Sequence, residues 1–297
     1  LDEHVIEHKI DVLFHTLAID VILEGDALKG VVVANKSGVQ AIMAKVVVDC
    51  SGDGDITAKA GVPYEFGDAV TGLAQPMTMM FRIGGLRDDY PPNDISTWFK
   101  TLKDVVPESE LIRDIPFNNP AIVKLPRKGE AIVQWVHVYH RKGTDADDLS
   151  QATLEGRRQI RHAMRHLQGI SDQIGDVYLL DVPAIIGVRE TRRIIGEHVI
   201  SDDEVKNGAR HPDGVCDVTF NVDVHDVDDE GQTLIEHSGF DVPYRSLVPL
   251  NVDNLLVAGR CLSGSHLAQA AYRVTGNCLR TGEAAGTAAT MAISEER

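Results

Sequence analysis

Val46-Val47-Val48 is a β-branched run that ends abruptly in Asp49-Cys50-Ser51-Gly52-Asp53-Gly54-Asp55. It reads as a buried strand delivering its carboxyl end into a glycine-rich loop. A second segment repeats the design, with Leu255-Leu256-Val257-Ala258 followed by Gly259-Arg260 and then by a helix expected from Gly276 to Ile293. In open α/β sheets, ligands lie at the carboxyl ends of strands. Two strand-end loops of this kind predict an α/β layer with a ligand at their mouths. The helix that opens near Gly276 adds unpaired N–H groups and a partial positive charge at the same end. It carries Gly282, Ala284, Ala285, Gly286, Ala288 and Ala289, small residues that permit close packing.

Around these strands the pattern varies. Val12 to Phe14, Ala18 to Leu23, Val31 to Ala34 and Ile42 to Val48 are short β-rich runs, divided by turns at Glu24-Gly25-Asp26 and Asn35-Lys36-Ser37-Gly38. They predict a β-meander. A short helix is expected from Ile56 to Ala60, stopped by Gly61. From Met77 to about Val242 strands mix with proline-bearing stretches such as Tyr90-Pro91-Pro92-Asn93 and Phe117-Asn118-Asn119-Pro120, the texture of an α+β insertion. Within it Ile160, Ala163, Met164 and Leu167 share one helical face, predicting a helix from Ser150 to Leu167. Arg157, Arg158, Arg161 and Arg165 make its solvated face. The expected organisation is residues 1–76, an inserted layer at 77–242, and a return at 243–297.

Charge narrows the partners. Lys and Arg number 29 against 45 Asp and Glu, a net charge of −16 over 297 residues, which disfavours nucleic acid and anionic lipid. Cys50, Cys216, Cys261 and Cys278 form no C-x-x-C pair and read as reduced thiols of a cytoplasmic protein. No apolar run reaches the roughly 18 residues of a membrane span. Metal signals are weak: Asp226-x-Asp228-x-Glu230-Gly231 opens like a calcium loop but has His237 at its twelfth position. Asp223 and His225 share an i, i+2 spacing without an evident third ligand and are read as a surface turn. No metal site is expected.

Three segments, Val46 to Gly61, Gly187 to Ser201 and Asn254 to Ala289, together resemble the FAD-dependent oxidoreductase family, the branch related to the glutathione-reductase and succinate-dehydrogenase flavoproteins. The resemblance implies a Rossmann-like FAD-binding domain with an inserted α+β substrate domain. It further implies FAD contacts at Ala18 through the backbone, at Ser51, Gly52 and Asp53, at Gly259 and Arg260, and at Thr275, Gly276 and Asn277. Relatives carry an acid where Arg260 stands, so a phosphate or substrate contact is expected there. Arg273 and His266 are implied to touch a small, anionic substrate; Arg189, after the strand-like run Ala184 to Val188, is a second candidate anion anchor or else an ordinary ion-pair partner of Glu190 or another acid. No partner beyond that small molecule is expected, and oligomeric state is left open. The family's G-x-G-x-x-G phosphate cradle is absent from the sequence, so the chain is expected to be the carboxyl-terminal part of a longer flavoprotein, purifying colourless. The alternative is a ligand- or partner-binding module without flavin turnover.

Overall fold

The computed structural model describes residues 1–90, 115–117, 120–226 and 232–295. Asn118 and Asn119, the stretch from Pro91, and Asp228 to Gly231 of the calcium-loop look-alike lie outside them. After a short exposed helix α1 (Asp2–Glu7), the strands β1 (Leu17–Glu24), β2 (Ala27–Asn35) and β3 (Gly38–Met43) form an antiparallel meander in that order. Val12 to Phe14 is no strand, and its side chains are exposed. The run from Ile42 to Val48 divides between β3 and β4 (Val47–Asp49), because β4 leaves the meander to pair in parallel with β17 (Leu255–Val257). Leu255 faces Val47 and Val257 faces Asp49, so both carboxyl ends open at one level. Helix α2 (Asp55–Lys59) follows β4 directly.

The next strands are β5 (Tyr64–Phe66), β6 (Met77–Thr78), β7 (Phe81–Gly84), β8 (Ala121–Lys124), β9 (Ala131–Gln134), β10 (His137–Val138) and β11 (Tyr178–Asp181). Four of them form an antiparallel sheet in the order β11-β7-β9-β8. Helices α3 (Ala146–Gly169) and α4 (Ser171–Ile174) accompany this sheet. Helix α3 begins four residues before the sequence pattern does, because the Asp145 carboxylate accepts from the Asp148 N–H at 2.9 Å and caps it. Ile160, Ala163, Met164 and Leu167 are buried on it and its four arginines are exposed.

Beyond lie β12 (Arg192–Ile194), α5 (Asp202–Asn207), β13 (Gly214–Val218), β14 (Val222–His225), β15 (Gln232–Ile235), β16 (Phe240–Pro243), β17, α6 (His266–Tyr272) and α7 (Thr275–Ser294). Two hydrophobic cores form among the described residues. One gathers Met77, Phe81, Trp135, Ile160, Leu167 and Ile186. The other joins Leu28, Ile56, Leu255 and Ala285 to Ile194, Val218, Phe240 and Val242. The chain recrosses to that second core between Ile186 and Ile194, as β12 pairs with β5 and β13 with β16. These packing cores divide near residue 190.

Candidate functional site

Asp49, at the end of β4, is 2% exposed and organises the loop that follows. Its carboxylate accepts from the Ser51 N–H at 2.9 Å, and from the N–H and hydroxyl of Thr57 at 2.9 and 2.7 Å. The loop is thereby tied to the first turn of α2. Gly52 takes φ of 80°, and a Cβ there would lie 2.7 Å from Arg260 Nη2, so both conformation and space call for glycine. Asp53 accepts from Arg260 Nη2 at 2.9 Å and from the Thr191 hydroxyl at 2.7 Å, joining the two strand-end loops to the segment Gly187 to Arg193. Arg260 also donates to the Val188 carbonyl.

Where the two cores meet, a cavity of about 290 Å³ is lined by Arg189, Arg260 and Arg273 together with Asp223 and His225. Arg189 is 7% exposed; it donates to the Pro76 carbonyl at 2.8 Å and to His137 Nε2 at 3.1 Å. No carboxylate among the described residues lies within ion-pair distance of it. Burial, reinforced by the neighbouring Arg273 charge, lowers its guanidinium to about 9. Arg273, at the end of α6, donates to the Asp223 carbonyl at 2.8 Å, and its Nε is buried without a partner. Burial pulls its guanidinium down too, with Asp223 opposing. The site thus holds more buried positive charge than its acids neutralise, the condition for anion binding.

Asp223 and His225 are no surface turn. Their alternation along β14 puts them beside the cavity, and His225 is fully buried. His137 Nδ1 lies 3.1 Å from the Trp135 carbonyl, which can only accept, so that nitrogen carries the hydrogen and Nε2 is the acceptor. His225 Nδ1, 3.0 Å from His137 Nε2, must therefore donate. In the neutral ring this leaves His225 Nε2 unprotonated, and that atom has no hydrogen-bond partner. The Asp223 carboxylate stands 3.5 Å away, near enough to stabilise a proton arriving there. Burial depresses His225, with Asp223 opposing and Arg189 reinforcing the shift. It also drives His137 well below its ordinary value, helped by the Arg189 charge. Burial works against the Asp223 carboxylate, yet His225 once protonated, together with Gln232 and Arg273, holds it well below the usual range.

Phe117 stacks on His137 at 3.8 Å between ring centroids, and Gln159 bonds the His137 backbone from α3, fixing the ring between the layers. His266 is placed apart from the cavity lining. Its Nδ1 sits 2.9 Å from Glu190, which is 1% exposed and also accepts from Arg193 and from the Gln75 N–H. That buried cluster braces the loop carrying Arg189. A larger groove of about 730 Å³ between β13 and α7 has charge only in exposed Arg280, Glu283 and Glu295, and so lacks comparable chemistry.

The FAD dependent oxidoreductase family profile matches residues 1–297. The chain belongs to that family. Its cofactor is FAD, and the backbone at Gly259 and the opening of α7 leave space for such a group. Gly259 takes φ of 80° beside the first turn of α7, Val274 supplies no side-chain cap there, and a Cβ on Gly276 would meet nothing within 4 Å. Thr275 and Gly276 are exposed and Asn277 half-buried, whereas Ala18 packs on β1 against the core. Among solved structures, flavin-dependent brominase Bmp2 is similar at 16% identity with a TM-score of 0.36, and a triple mutant of it at 15% and 0.38. Both likenesses cover 66% of this chain but only 43% and 44% of those chains, so it spans less than half of their length. No curated protein matches the chain. No described helix is long and apolar enough to cross a membrane.

Proposed function

We propose that this chain forms the substrate-binding part of an FAD-dependent oxidoreductase acting on a small anionic substrate, whose carboxylate is held by Arg189, Arg273 and Arg260. The observation that carries the reading is the buried Arg189, without a carboxylate partner among the described residues and lining the same cavity as two further guanidiniums. Two-pronged Arg–carboxylate contacts orient a planar anion and gain strength where water is excluded. FAD, when bound, supplies the hydride acceptor at its N5. The protein's own part is binding and proton handling. His225 takes the substrate's departing proton at Nε2, His137 fixes its tautomer through Nδ1, and Asp223 stabilises the imidazolium formed. His266 steadies the Arg189 loop through Glu190.

Calorimetry with malonate as a simple dicarboxylate tests the anion site directly. Binding by the unaltered chain, lost in Arg189→Met with the fold retained, is expected; equal binding by both would remove Arg189 from the site. The sequence's lack of a G-x-G-x-x-G unit favours a second reading, a binding module without flavin turnover. Flavin absorption after denaturing the purified protein separates the two.

A further inference from the structure

A second cluster of metal-binding side chains lies outside this cavity. His198 follows β12, Glu204 lies in α5, and His211 precedes β13. His198 Nε2 is 2.8 Å and His211 Nε2 is 2.9 Å from the same Glu204 oxygen, Oε1, and all three ligand atoms lie within 4.8 Å of one another. Their side chains are 21%, 20% and 15% exposed in chain order, so the cluster is half-buried and keeps a path to water. We propose that His198, Glu204 and His211 form a binding site for a divalent first-row transition metal, a structural clamp on residues 198–211 and a site separate from the flavin chemistry.

Hydrogen bonding accounts for one side of the cluster only, His198 Nε2 donating to Glu204 Oε1 at 2.8 Å. His211 Nε2 is buried and, although 2.9 Å from the carboxylate, has no hydrogen-bond partner because the approach is misdirected. The His211 nitrogen is therefore left for a further partner beside the carboxylate. Zinc-type bonds to imidazole and carboxylate run about 2.0–2.2 Å, and contacts of the observed length then subtend about 90° at the ion. That is the angle between neighbouring donors of an octahedral ion, with two histidines and one carboxylate as donors.

The carboxylate is also oriented from behind. Glu204 Oε2 accepts from the Ser201 N–H at 2.7 Å and from the Ser201 hydroxyl at 2.8 Å, the reciprocal cap of α5, which turns Oε1 toward the two imidazoles, where a metal would displace the proton that His198 Nε2 now donates to it. Outer hydrogen bonds of this kind set the direction of a ligating carboxylate. Facing the cluster, the His211 N–H donates to Asp241 at 3.0 Å, and Arg245 is engaged by Asp213 at 3.0 Å, so its charge is partly offset. The sequence alone conceals the site, because its ligands come from three separate elements and match no compact spacing motif.

Zinc chloride titrated calorimetrically into chelator-treated protein should bind with one tight site. His198→Gln/His211→Gln should lose at least 100-fold in affinity, and Ser201→Ala should lose about 10-fold or more while keeping its ligands. Exposed His4, Glu7 and His8 form another possible cluster, so His4→Ala/His8→Ala must leave the tight site intact. Electron paramagnetic resonance of the copper(II)-loaded protein should show two coupled imidazole nitrogens, a readout that needs no variant to fold. Absence of a tight site, retention of it in the double glutamine variant, or fewer than two imidazoles in the copper spectrum would overturn the proposal.

Discussion

Arg273 separates two roles that charge alone leaves mixed. It binds the Asp223 backbone and caps α6, yet its Nε is buried without a partner beside the cavity. In a flavin-loaded form, Arg273→Ala should lower kcat/KM for a carboxylate substrate by two to three orders of magnitude, since losing a desolvated charged contact costs about 2–4 kcal/mol. Flavin occupancy should stay unchanged. Joint loss of flavin and thermal stability would make Arg273 structural instead. His225 carries a different signature. Its depressed pKa leaves the ring neutral down to a pH below its ordinary value, so as a base it should impose an acid limb on kcat/KM at pH below about 6.5. His225→Gln should slow turnover about 10²- to 10⁴-fold and erase that limb. A pH profile with the same limb in the variant would give the proton to another group.

The strand-end loops were legible in the sequence because their grammar is local: β-branched runs, then glycine at positions where φ reaches 80°. Helix α3 was legible from its apolar spacing, though its start depended on an Asp145 cap that periodicity does not reveal. What stayed hidden was long-range. The burial of His225 depends on β14 packing beside α6 and on His137, 88 residues away in sequence. No local pattern distinguishes that histidine from one on a surface turn. Helix α7 offers a test in which two effects oppose each other. Its start lacks a side-chain cap and Gly276 faces open space. Gly276→Asp should stabilise the chain by about 0.3–1 kcal/mol, because a carboxylate in the first turn complements the helix dipole. The same charge should weaken flavin binding by repelling the negative charge that builds at N1–C2=O on reduction. Thermal denaturation beside a flavin titration reads both; an unchanged flavin affinity would remove this helix from the cofactor site.

The charge of the molecule is arranged inside out. A chain of net charge −16 keeps three guanidiniums and two neutral histidines at the meeting of its cores. That arrangement sets its acid stability. His137 and His225 are depressed in the folded protein, chiefly by burial and with Arg189 adding to both, so between their folded values and about 6.5 the unfolded chain binds protons that the folded chain does not. Stability then rises with pH across that window and is lost as pH falls through it, by up to about 1.4 kcal/mol per pH unit for each histidine. Asp223 acts later. Its depressed carboxyl contributes stability present above the unfolded value near 3.9 and lost as pH falls below it toward its own folded value. Urea unfolding between pH 7 and 5 should therefore show the histidine loss before carboxylates titrate. His137→Gln, which retains a hydrogen-bonding side chain but no titrating ring, should reduce the slope by about half. A wild-type stability flat over that range would show that the folded pair takes up its protons as readily as the unfolded chain, and the full slope in His137→Gln would show that His137 is no source of it; either result would break the tautomer chain serving His225.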